Sequence, residues 1–255
     1  MTANIAPQHQ AGGPVSAGGS GTMPEPAGLD SLAPVTRPTV QDIVYAQLRG
    51  SLIQGAIDAG QVLKIRDLAG RLSVSTMPVR EALARLVTEG ALEALPNRTV
   101  RVRPLTRARL DDLERSRLLI EGALLGYALP RLSADREAIA ALERLTQAYD
   151  DLAPPAIDAS AETADLNHAF HFAIYGAAGS DVLLPIVESL WVQSGPVVRL
   201  AAALFPPAER ARATEHHHAI IRAIRAGDMA AARAALGADI GRAFALVRAS
   251  LGDDT

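Results

Sequence analysis

Four side chains able to bind a cation or exchange a proton stand on helix faces that are otherwise apolar: Asn167, His171, His217 and Asp239. Asn167 and His171 are one helical turn apart and share a face with Phe170 and Ile174. His217 precedes Ile220 by three residues and Ile224 by seven, so it faces inward with them. Its neighbours His216 and His218 are rotated away and are expected to be exposed. Asp239 shares a face with Ala232, Leu236 and Leu246. An imidazole or carboxylate on a core face costs free energy unless it is paired or metal-bound. Two readings stay open on these residues, a satisfied His–Asp hydrogen-bond cluster and a metal centre. Arg117 has Glu121 one helical turn later, the spacing of an exposed ion pair worth about a few tenths of a kcal/mol.

The elements that carry these groups must be helices. Ala and Leu dominate a chain with 49% hydrophobic and 4% aromatic residues, and both residues form helices at low cost. With no cysteine in 255 residues, disulfides, thiolate metal sites and Cys nucleophiles are excluded, and a reducing cytoplasm is the expected location. No apolar run approaches the ~20 residues of a membrane span, and the start of the chain does not read as a secretory signal.

Three regions differ in pattern. Residues 1–38, rich in Gly, Pro, Ala and Ser, read as a disordered tail. Residues 39–105 predict a compact head. Val40, Ile43, Val44, Leu48, Leu52 and Ile53 recur at helical spacing until Asp58-Ala59-Gly60. A short helix follows with Ile65, Leu68, Ala69 and Leu72 on one face. After the turn Ser73-Val74-Ser75, in which Ser75 is placed to N-cap, a third helix carries Val79, Ala82, Leu83 and Leu86 inward as far as Gly90. Pro78 sits in its first turn, where a missing N–H costs little. Leu92–Leu95 and Thr99–Val102 are β-prone runs around Pro96-Asn97-Arg98. Three helices and a hairpin in this order predict a winged helix-turn-helix. Residues 106–255 read as helical only, with helices near 107–130, 133–152, 158–177, 181–203, 207–226 and 228–250. The expected fold is therefore mainly α, a winged helix-turn-helix followed by an all-α bundle. Head residues 39–105 hold nine basic and six acidic side chains, body residues 106–255 fifteen and twenty. A basic front on an acidic rear suits a DNA-binding head on a sensing body.

The run Leu48-Arg49, Leu63, Leu68-Ala69, Val74-Ser75, Pro78-Val79-Arg80-Glu81-Ala82-Leu83, Leu86 and Glu89-Gly90 resembles the GntR family of transcription regulators. Arg117 to Glu121 and the later His motifs resemble its FadR subfamily, whose sensing body is the helical FCD domain. The resemblance covers nearly everything after residue 39. It implies a homodimer, held mainly through the body, that binds double-stranded operator DNA and responds to a small-molecule effector, with no membrane partner. A recognition helix enters the major groove by its N-terminal end, which assigns DNA contact to Ser75, Thr76 and Arg80. Arg66 and Arg49 occupy family positions, and Arg98 at the hairpin tip can reach the backbone or minor groove. Where the family has Arg and a small hydroxyl residue, this chain has Thr76 and Met77, so the family's common guanine contact is expected to be missing. Thr99 stands where the family's wing usually has Gly.

In the body, Asn167, His171, His217 and Asp239 match the metal site of many FCD domains, with Asp239 replacing the usual last His. Two imidazoles and a carboxylate suit a divalent ion such as Zn, Ni, Mn or Fe. Arg117 falls at the family's Arg-x-x-x-Glu position, which implies a fork for an organic-acid effector. A metal-dependent enzyme of helical fold with an accessory DNA-binding head is the rival reading, as is a structural, nucleoid-type DNA binder. Against the enzyme, the chain has no Gly-rich phosphate loop, nucleophile elbow or strand-borne acid pair. Against the nucleoid binder stand the polar groups on core faces of the body.

Overall fold

The computed structural model describes residues 38–96, 99–152, 161–205 and 212–251, and all structural statements concern these. The expected tail 1–38, apart from Pro38, lies outside them, as does the hairpin tip at Asn97 and Arg98.

Helix α1 (Val40–Ile53) starts at a capping box, in which the Thr39 hydroxyl accepts from the Asp42 N–H and Asp42 returns a bond to the Thr39 N–H. Its buried residues Val44, Leu48 and Leu52 repeat every four positions. Strand β1 (Val62–Leu63) leads into α2 (Ile65–Leu72). Ser73 turns the chain in the left-handed region at φ 53°, and α3 (Thr76–Thr88) buries Val79, Ala82, Leu83 and Leu86. The Ser75 backbone holds the N-cap position, but its side chain makes no capping bond. Strands β2 (Leu92–Leu95) and β3 (Thr99–Val102) form the predicted hairpin, with Leu95 opposite Thr99 and Leu92 opposite Val102. The two-residue β1 was not anticipated. It pairs antiparallel with β3 and sets the sheet order β1-β3-β2. A strand this short has no period to detect.

The body is helical: α4 (Arg107–Ala134), α5 (Arg136–Asp150), α6 (Ala161–Ala177), α7 (Leu183–Leu204), α8 (Glu215–Ala226) and α9 (Met229–Ser250). One hydrophobic core joins them, with Leu124, Leu125, Phe170, Val197, Ile220 and Phe244 at its centre. Two expected boundaries are corrected. The sequence pattern ends this helix at Pro130, yet α4 runs through it to Ala134. The Pro130 ring is exposed, and Leu129 and Leu132 are buried on the other side of the same turn, which offsets the lost helical bond. The helix expected from 207 begins at Glu215, after a turn at 212–214; residues 206–211 lie outside the described ones. Gly227 closes α8 at φ 65°, and the Asp228 carboxylate caps α9 by accepting from the Ala231 N–H.

Head and body meet along α7. Val192 belongs to the head's hydrophobic cluster. The Glu89 carbonyl accepts from Ser189 and from Gln193, each at 2.9 Å, and the Gly90 carbonyl accepts from Arg109 at 3.1 Å. Gly195 lies against the Leu52 carbonyl so closely that a Cβ there would overlap it.

Candidate metal centre and nucleic-acid interface

His171 on α6, His217 on α8 and Asp239 on α9 each bring one ligand atom to a common point, all within 4.8 Å of one another. His171 Nε2 lies 3.1 Å from Asp239 Oδ2, and His217 Nε2 lies 4.0 Å from Asp239 Oδ1. Phe170 stacks on the His217 ring at 3.9 Å between centroids, which fixes its plane. Asn167 lines the same cavity. His218 is exposed and pairs with Asp150 at 2.8 Å, whereas His216, also expected outside, is half-buried.

Protons can be placed on this cluster by elimination. The Tyr175 hydroxyl donates its one proton to Glu121. The 3.1 Å contact between that hydroxyl and His171 Nδ1 must therefore be donated by the imidazole. Its Nε2 faces Asp239. His217 is buried, and burial pushes its pKa down to about 3 even beside Asp239, so the ring is neutral and holds one lone pair. Its Nδ1 has no hydrogen-bond partner among the described residues. Burial works to raise the Asp239 pKa, but the hydrogen bond from His171 and the nearby His217, His171 and Arg242 hold it below the usual carboxylate range. Two imidazoles and an ionised carboxylate converge here with an unpaired buried nitrogen among them. Ligands each ~2.0–2.2 Å from one ion lie about 3–4 Å apart, the spacing already present from Asp239 to each imidazole. The donor set fits a divalent cation.

Arg117 and Glu121 form a buried pair, not the surface pair that i,i+4 spacing suggests, with side chains 4% and 0% exposed. Arg117 donates from Nε to Glu121 Oε1 at 2.6 Å and from Nη2 to Oε2 at 3.4 Å. Its guanidinium carbon lies over the Trp191 ring, 4.7 Å from the ring centroid. Burial disfavours the charged guanidinium, but Glu121 outweighs it and the Arg117 pKa is raised. Burial, then Glu121, raise Tyr175 well above an ordinary phenol. Arg117 does line the cavity, but with one edge of its fork committed to Glu121.

The cavity measures about 130 Å³ and also touches Arg242, Arg199 and Gln54. None of these three was singled out from sequence. Arg242 follows Asp239 by three residues and sits 4.0 Å from it, a spacing that could have revealed it. Tyr175, four residues after His171, carried the same signal. Gln54 and Arg199 carried none, because only tertiary packing brings them to the cavity.

In the head, Ser75, Thr76 and Arg80 are exposed at the N-terminal end of α3, and Arg66 is exposed on α2. Among the described residues neither Arg66 nor Arg80 has an ion-pair partner. Thr76 and Arg80 share a face one turn apart. Arg49 stands apart from this group: its guanidinium turns to the body and pairs with Glu188 of α7 at 3.3 Å. Arg98 lies outside the described residues.

No described helix is long and apolar enough to cross a membrane. Residues 40–102 match the model of the bacterial regulatory proteins of the gntR family, and residues 112–242 match the FCD domain. The chain is 30% identical to the HTH-type transcriptional regulator McbR of Escherichia coli (strain K12) over 187 residues, 72% of this chain and 82% of that protein. It is 30% identical to the HTH-type transcriptional repressor GlaR of the same organism, over 58% of this chain and 67% of GlaR. The solved structure of E. coli McbR/YncC superposes with a TM-score of 0.76 at 28% identity, covering 84% of this chain and all of that one. These relatives are regulators and not enzymes, and the chain belongs to the GntR family of transcription regulators, with an FCD domain as its body.

Proposed function

We propose that this regulator represses transcription by binding operator DNA through α2, α3 and the wing, and that a small carboxylate effector in the body controls its operator affinity. The observation that carries this reading is the convergence of His171, His217 and Asp239 on one wall of a cavity that Arg117 and Arg242 also line. His171, His217 and Asp239, with Asn167 as a weaker fourth ligand, would hold a divalent ion such as Zn, Ni, Mn or Fe. When bound, that ion supplies a Lewis-acidic position for an effector carboxylate. The chain's own residues do the rest. Tyr175 and Glu121 orient the His171 ring, Phe170 holds the His217 ring, and the remaining Arg117 donors and Arg242 set a positive rim against the anion. Asp239 adds a negative charge beside the two imidazoles, so the arginines contribute more of the anion's attraction.

Arg66, Ser75, Thr76, Arg80 and Arg98 form the proposed DNA contact, and Arg49 serves the seam between head and body. Helix-turn-helix proteins read paired half-sites about 34 Å apart, so the working unit is a homodimer in the cytoplasm. Leu118, Leu119 and Tyr127 on α4 are exposed beside the small residues Gly122 and Ala123, an apolar face suited to a second copy.

Metal analysis of protein purified without chelator or histidine tag tests the centre. One divalent ion per chain, lost in His217→Ala, is expected. Metal-free protein with His217→Ala equally stable would leave a plain hydrogen-bond cluster. Operator selection from random DNA, with Arg117→Ala scored for ligand-induced thermal shift, tests the rest.

A further inference from the structure

The cavity is not built by the body alone. Gln54, the C-cap of head helix α1, lines it, and so does Arg199 of α7. Gln54 donates through Nε2 to Asp165 at 2.9 Å, on the same α6 that carries Asn167 and His171. Arg199 Nε lies 3.5 Å from Asp58 of the head. Gly55 takes φ 65° directly against the Arg199 side chain, and a Cβ there would collide with it.

The seam between head and body thus has two ends of different strength. At one end Val192 is inserted into the head core, the Glu89 carbonyl is doubly held, and the backbones meet at Gly195 and Leu52. These contacts are packed and close, and they can act as a pivot. At the cavity end both contacts are exposed. The Arg199 and Asp58 side chains are 43% and 74% exposed, and pairs of that kind are held weakly and exchanged easily. A ligand that fills the cavity touches this weak end, because Gln54 and Arg199 line it.

We propose that Gln54 and Arg199 are effector-contacting residues that couple the cavity to the DNA-binding head. An occupant with an anionic group at this end takes the Arg199 guanidinium from Asp58 and displaces Gln54 from Asp165, which frees the head to move about the Gly195–Leu52 contact. This rests on the reading of the cavity as the effector site, and it selects organic acids with a second anionic group over simple monocarboxylates.

The absence of cysteine from the chain allows a test that needs no knowledge of the natural effector. Gln54→Cys supplies a single thiol. Sulfonatoethyl methanethiosulfonate attaches a short anion there, and methyl methanethiosulfonate attaches a neutral group. Affinity for a selected operator is measured for both adducts, with and without Arg199→Ala, and fluorescence of Trp191, which packs against the cavity-lining His171 and Arg117, reports occupancy. The sulfonate adduct is expected to differ from the methyl adduct in operator affinity by about tenfold, in the usual range for coupled sites, and Arg199→Ala should erase most of the difference. Equal affinity of the two adducts overturns the coupling, as does a difference that Arg199→Ala leaves intact. The cavity reading fails separately, if added zinc and succinate leave the Trp191 fluorescence of the unsubstituted protein unchanged.

Discussion

The head and the body handle polar chemistry in opposite ways. The head presents Arg66, Ser75, Thr76 and Arg80 on exposed surfaces, where water solvates them. The body turns Arg117, Glu121, Tyr175, His171 and His217 inward, where the first four pair with one another and His217 keeps a nitrogen without a partner among the described residues. Desolvation makes the difference. An exposed charge left unpaired costs little, whereas a buried one costs the full loss of its hydration. Head substitutions should therefore separate function from stability, and body substitutions should not.

The largest expected effect breaks the inward network. Glu121→Ala leaves Arg117 charged and buried without its carboxylate, and removing one partner of such a pair costs about 3–5 kcal/mol. Urea unfolding should register that loss; a change below ~1 kcal/mol would place the pair in the surface class and erase the contrast.

Acid should act next. The folded-state pKa of His217 is lowered from 6.5 to about 3, so between these limits the unfolded chain binds a proton that the folded one refuses. Stability is then complete above pH ~6.5 and falls as pH drops towards ~3, by about 1.4 kcal/mol per pH unit from this group. Metal-free protein should show the slope between pH 6 and 5, and His217→Gln should flatten it. An identical slope in the variant would mean that other groups carry the acid sensitivity.

The head should give the opposite signature. Arg80→Ala and Arg66→Ala are expected to cost about 1–3 kcal/mol each in specific operator binding. Their unfolding midpoints should stay where they were. Loss of stability together with binding would put these side chains inside the fold and not on the DNA surface. The smallest effect is one of preference. Thr76→Arg restores a group that pairs with guanine, so selection from a random DNA library should yield operators with an added guanine. Unaltered operators would mean that position 76 faces away from the bases.

Much of this was legible along the chain. Buried residues at helical spacing in α1 and α3, the alternating runs of β2 and β3, and the inward His171, His217 and Asp239 all announce themselves through local period. Each period is a property of a single element and needs no neighbour to exist. Whatever depends on two elements meeting had to wait for the fold. The sequence pattern of Arg117 and Glu121 is that of a solvated pair, and only α6, α7 and α9 closing over α4 make it a buried one. Pro130 reads as a stop until Leu132 is seen to gain a place in the core. The pairing of Arg49 with Glu188 across the seam leaves no trace in the local spacing of either residue. Gln54, at the end of a head helix, becomes part of the cavity because Gly195 lets α1 approach α7 backbone to backbone. Sequence determined which faces point inward, since side-chain direction follows from local dihedrals; tertiary structure decided what those faces meet, since burial and pairing arise between segments far apart in the chain.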